Sequence, residues 1–149
     1  MPAALNGSVF AADEQVLKCR GIVLQALQED FGHGLDHAEK VAVEAGALAY
    51  IEAARFSLED SAEREAGILA QIAGLLHDLQ RGEKNHAQAS ARAAEKILEE
   101  FSISPASGRY IVEAITNHEA FVEPQKIDSA VGQMISDALY DADKFRWAK

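Results

Sequence analysis

One cysteine, three prolines and a shortage of basic residues limit what this 149-residue chain can be. A single thiol, Cys19, cannot close an internal disulfide, so stability has to come from burial; among Val16, Leu17 and Val23 it reads as a small buried hydrophobe. No apolar run approaches the roughly 20 residues that cross a bilayer. The opening "MPAALNGSVFAADE" lacks the basic segment and apolar core of a secretory signal. The expectation is a soluble, cytoplasmic protein. Lys and Arg number 14 against 24 Asp and Glu, a formal net charge of −10, and no basic stretch is interleaved with aromatics. A polyanion is repelled at long range by such a chain, which argues against nucleic acid as a main partner. A small anion is not excluded, because bound metal reverses the field locally.

What the chain does have is helical periodicity. At 16.1 kDa it fits one domain, large enough to bury roughly 68 to 70% of its unfolded surface. No period-2 strand, repeat or low-complexity linker stands out. Six helices are expected, over residues 12–30, 36–55, 60–79, 86–101, 105–119 and 128–142, after a flexible tail over 1–11. "FGHG", "QRGEKN" and "FVEPQK" supply the breaks, and Ser104 before Pro105 reads as an N-cap and first helical residue. The fold class is therefore all-α, a single-domain bundle.

The third helix carries two stripes. Ile68, Leu69, Ile72, Leu75, Leu76 and Leu79 form an apolar one; Gly67, Ala70 and Gly74 form a small-residue one that would let a second helix approach closely. The helix ends in "GLLHDLQRGEKNH". His77 continues the small-residue stripe and Asp78 lies about a quarter turn further round. A carboxylate there is costly unless it is hydrogen-bonded, paired or bound to metal.

Other histidines share this placement at helix ends. His37 opens the second helix with Val41, Ala45 and Leu48 on its side. His86 opens the fourth, followed at helical spacing by Ala89, Ala93, Ala94, Ile97, Leu98 and Phe101. His118 closes the fifth after Ile111 and Ile115. One such histidine is usually a satisfied core residue. Several on separate helices, beside an aspartate, also suit the way bundles assemble metal sites from facing side chains. Imidazole with carboxylate oxygen suits Mn, Fe, Co, Ni or Zn. The residues taken alone leave a structural His-Asp hydrogen bond and a metal site both open. His33, between Gly32 and Gly34, reads as a loop residue facing substrate or supporting the site. Asp141 and Asp143 flank Ala142 after the stripe Ile127, Val131, Met134, Ile135 and Ala138, and periodicity does not choose between them.

In order along the chain, His37, His77-Asp78 and Asp143 resemble the H…HD…D pattern of the HD-domain metal-dependent phosphohydrolases. "HGLDHAEKVAVEAGALA", "AGLLHDL" and "DADKF" resemble that superfamily's opening, central and closing segments. The likeness covers about residues 30–147, and the ordered set is more specific than any one motif. It implies that Asp143 rather than Asp141 is the last ligand. His86 and His118 are similar to the two extra histidines of members with a two-metal site. Lys40 stands where arginine is common and Phe145 where leucine is common, and no Gly-Tyr-Pro triplet follows, unlike the cyclic dinucleotide phosphodiesterases. Relatives usually continue for one or more helices beyond the final aspartate. Here six residues follow it, which leaves open how the site is covered and whether a homo-oligomer helps.

The resemblance implies that His37, His77, Asp78 and Asp143 hold one divalent ion. Asp78 would bridge to a second ion held by His86 and His118, with His77 and Asp78 at the catalytic centre. Mn, Fe, Co, Ni, Zn or Mg would serve, and the substrate would be a small phosphomonoester, nucleotide or phosphodiester. Arg81, Lys84, Lys144 and His33 are the candidates to touch it. Phe145 and Trp147 would wall the site or anchor the C-terminus. Two alternatives stand beside this: a di-iron oxygenase resembling the inositol oxygenases, and a non-catalytic metal-stabilised regulatory module.

Overall fold

The computed structural model describes residues 13–26, 33–56, 60–119 and 123–148, the side chains of 33, 60, 61 and 145–148 excepted. The tail expected over 1–11 lies outside them, as do the side chains of His33, Phe145 and Trp147. Within the described residues the chain forms six helices and no strand: α1 (Glu14–Ala26), α2 (His33–Arg55), α3 (Asp60–Leu76), α4 (His86–Leu98), α5 (Pro105–Thr116) and α6 (Ala130–Ala148). No helix among them is long and apolar enough to cross a membrane.

Side chains set several helix starts. Asp13 Oδ1 accepts the Val16 amide at 2.9 Å and caps α1. Ser104 accepts the Ser107 amide at 3.0 Å with Pro105 behind it, as its sequence implied. Ser129 Oγ accepts the Gly132 amide at 3.2 Å and opens α6. Each satisfies an amide that the helical ladder leaves without a partner.

The observed ends correct the expected ones. α2 starts at His33, not 36, so His33 is helical rather than a loop residue. Glycine costs least in a first turn, and Asp36 there favours the helix dipole. α3 stops at Leu76 instead of 79, α4 at Leu98 instead of 101, and α5 at Thr116 instead of 119. In each case a buried side chain continues past the last helical turn: His77, Phe101 and His118. α6 runs on to Ala148 because nothing in "DADKFRWA" breaks it, and this places Asp143 inside the helix.

α3 is the central element and packs against each of the other five helices, most extensively α2. Its residues 66–76, and His77 after them, are buried without interruption. The small-residue stripe does what its spacing implied. A Cβ built on Gly74 would lie 2.6 Å from Ala42 Cα and 2.8 Å from Ala42 N, and one on Gly46 would lie 2.5 Å from Gln71 Cγ. Glycine and alanine thus bring the α2 and α3 backbones into direct contact just before His37 and His77 meet.

The remaining faces agree in part. Ile111 and Ile115 of α5, and Met134, Ile135 and Ala138 of α6, are buried as expected. Leu48 is exposed instead, and α4 buries Ala87, Ser90, Ala91, Ala94 and Leu98 in place of Ala89 and Ala93. Ser90 explains the rotation of α4, since its hydroxyl turns inward to accept the Gln80 amide at 2.9 Å. That bond ties the turn after Asp78 to α4.

Replacing Gly74 by alanine should lower stability by about 1 to 3 kcal/mol, the usual cost of overpacking. Its Cβ meets backbone, which cannot rotate away. A denaturation midpoint equal to the wild type's would contradict the tight α2–α3 seam.

Candidate metal centre

Two helix ends build the centre in the same way. His77 follows α3 directly, and its Nδ1 donates to the Gly74 carbonyl at 2.6 Å. His118 follows the C-cap Asn117 of α5, and its Nδ1 donates to the Ile115 carbonyl at 2.6 Å. A carbonyl oxygen only accepts, so in both rings the proton is fixed on Nδ1 and Nε2 is left to face the site.

What the two Nε2 atoms face are carboxylates. His77 Nε2 stands 3.4 Å from Asp143 Oδ1 and 3.6 Å from Asp78 Oδ2. His37 Nε2, from the second turn of α2, stands 3.3 Å from Asp143 Oδ1 and 3.7 Å from Asp78 Oδ2. His118 Nε2 stands 3.7 Å from Asp78 Oδ1. Asp78 therefore turns one oxygen toward His37 and His77 and the other toward His118.

These separations are long for hydrogen bonds, and His77 Nε2 and His118 Nε2 are both buried without a hydrogen-bond partner. Leaving such a group unsatisfied costs about 1 to 3 kcal/mol. Lone pair facing carboxylate is an arrangement that positive charge reconciles, in part as a proton on His77 and more fully as a bound cation. Donor atoms about 2.1 Å from a tetrahedral ion stand about 3.4 Å apart, close to the spacings here. Two sets of ligand atoms lie within 4.8 Å of one another: His37, His77 and Asp143, and His77, Asp78 and His118. Neutral imidazole plus carboxylate is a donor set that fits a divalent transition metal. The C-terminal ends of α3 and α5 add negative potential at the same place.

The same pull acts on protons. Burial opposes a charged His77, but the Asp143 carboxylate, with Asp78 beside it, outweighs it and holds the imidazole pKa above its ordinary 6.5. Burial likewise raises the carboxyl pKa values. The imidazole of His118 and the charge of His77 overcome it at Asp78, bringing it down to about 2. His37, His77 and Lys144 bring Asp143 far below the carboxylate range. Both aspartates stay ionised and favour positive charge between them.

The remaining expected residues divide. Asp143 is buried in the centre while Asp141 is exposed, with slight desolvation and the neighbouring Asp137 charge nudging its pKa upward. His86 lies beside the centre, its ring 5.4 Å from that of His118, but it belongs to neither ligand set. Lys144 is held by Asp143, Nζ to Oδ2 at 2.7 Å. Arg81 and Lys84 are exposed on the turn after Asp78. Cys19, in α1, is fully buried, which pushes its thiol pKa up, and it belongs to neither ligand set. The sequence reading missed Glu119, whose Oε1 stands 3.2 Å from His86 Nδ1. Its position next to His118 was the available clue.

The chain matches no known family model, no curated protein and no solved structure. The candidate centre therefore stands on its own geometry.

Metal uptake should release protons and strengthen as pH rises through and beyond the ordinary imidazole pKa of 6.5, because the raised pKa of His77 keeps a proton on Nε2 that must leave before it binds. Calorimetric titration with Zn²⁺ in buffers of different ionisation enthalpy reads both effects. Affinity independent of pH would contradict the assignment of His77 as a ligand.

Proposed function

We propose that the chain is a metal-dependent phosphohydrolase of the HD-domain kind, acting on a small phosphate ester. The observation that carries this reading is the pair of buried Nε2 atoms, on His77 and His118, turned toward Asp78 and Asp143 with no hydrogen-bond partner. His37, His77, Asp78 and Asp143 would hold one divalent ion. His118 and Asp78 would help to hold a second, with His86 beside them. When bound, such ions lower the pKa of a coordinated water toward about 7 and act as Lewis acids on phosphoryl oxygen.

The chain's own residues would do the positioning. His77 and Asp78 sit where the buried α3 ends, and packing together with the Gly74 carbonyl holds the His77 ring in place. Asp78 links the two halves of the centre through its two oxygens, and Lys144 fixes Asp143 by taking its outer oxygen. Two divalent ions against two carboxylates would leave a local charge of about +2, which favours a phosphate despite the chain's overall charge of −10. Arg81 and Lys84, exposed on the turn after Asp78, would be able to swing onto that phosphate.

Asp78→Ala should lose both metal binding and hydrolysis while the helical circular dichroism is retained. Assay with phosphomonoesters, nucleotides and phosphodiesters in Mn²⁺, Co²⁺, Ni²⁺ and Mg²⁺ checks this. Bound iron with oxygen-dependent turnover would overturn the hydrolase reading in favour of an oxygenase. Metal binding with no cleavage of any ester would favour a regulatory module.

A further inference from the structure

His86 differs from its neighbours in one physical respect. His77 and His118 follow helix C-termini, where last-turn carbonyls are at hand to fix the imidazole proton. His86 is the first residue of α4, and a helix N-terminus offers donors, not acceptors. Its ring is also about one-third exposed, so packing alone does not hold it. The group nearest its inner nitrogen is instead the Glu119 carboxylate, whose Oε1 lies 3.2 Å from His86 Nδ1, at ion-pair distance. An ionised carboxylate only accepts, so a carboxylate at that place favours the proton on Nδ1, the tautomer of His77 and His118, and leaves the lone pair on Nε2.

We infer that Glu119 is a positioning residue for the second cation: it fixes the tautomer and ring orientation of His86 as a ligand beside His118 and Asp78 Oδ1. The inference rests on the metal reading proposed above. Glu119 directly follows His118 in the chain, so one short backbone segment past α5 sets both histidines. The His86 and His118 rings stand edge to face at 69° with centroids 5.4 Å apart, while His118 Nε2 lies 3.7 Å from Asp78 Oδ1. A carboxylate behind an imidazole also makes its other nitrogen a stronger donor to metal.

The test is a Co²⁺ titration of the metal-free full chain, comparing wild type, Glu119→Ala and Glu119→Gln, with the His86 tautomer read by long-range ¹⁵N NMR. The wild type should take a tighter and a weaker ion, with His86 protonated on Nδ1. Glu119→Ala should leave the tighter ion unchanged and weaken the second by about 10- to 100-fold, with a mixed tautomer at His86. Glu119→Gln should lie between, because its amide oxygen still accepts the Nδ1 proton. Equal affinities in wild type and Glu119→Ala would overturn the inference, as would a wild type that takes only one ion. A Glu119→Gln chain as weak as Glu119→Ala would make Glu119 a direct ligand and overturn the positioning role. A wild type that takes no Co²⁺ would sink the metal reading itself.

Discussion

Gly74 and Ile115 each offer a last-turn carbonyl to the histidine three residues on, and the candidate centre depends on that pair of hydrogen bonds. Once Nδ1 is committed, Nε2 of each neutral ring presents a lone pair. Both atoms are buried, and what lies opposite them is Asp78 and Asp143. Neutral imidazoles facing ionised carboxylates are a poor arrangement unless positive charge sits between them. A proton on His77 meets part of the demand, as its raised pKa indicates; a metal would meet all of it.

The scaffold serves the same end. Gly74 is both the carbonyl that orients His77 and the small residue that lets α3 lie against Ala42 of α2. His37 comes from the same helix as Ala42, little more than a turn earlier, so the close approach that packs the core also sets the distance between His37 and His77. Their ring centroids lie 5.4 Å apart. The Gln80 amide bonded to Ser90 holds the following turn to α4. Packing and site geometry are thus coupled through a few small residues, with α3 as the common member.

Much of this was legible in the sequence, because helix periodicity is strong and the small-residue stripe on α3 has a direct steric meaning. The six helices and the inward placement of His37, His77 and His118 follow from spacing. Where helices end did not follow, since an apolar or imidazole side chain stays buried past the last hydrogen-bonded turn and keeps the pattern going, as at Phe101 and His118. Periodicity also could not separate Asp141 from Asp143; the resemblance to the HD pattern favoured Asp143, and the fold buries that one. Ser90 and Glu119 escaped notice for a different reason. Each acts through a single contact with a residue distant in the chain, and no local pattern announces it.

The central claim is that the buried Nε2 atoms exist to bind a cation. Elemental analysis of the purified protein, with melting followed before and after chelation, tests it most directly. At least one divalent transition metal per chain is expected, with a melting temperature that falls on chelation and returns when metal is restored, as ligand linkage requires. A protein purified without metal, taking none up when it is offered and melting at the same temperature throughout, would contradict it.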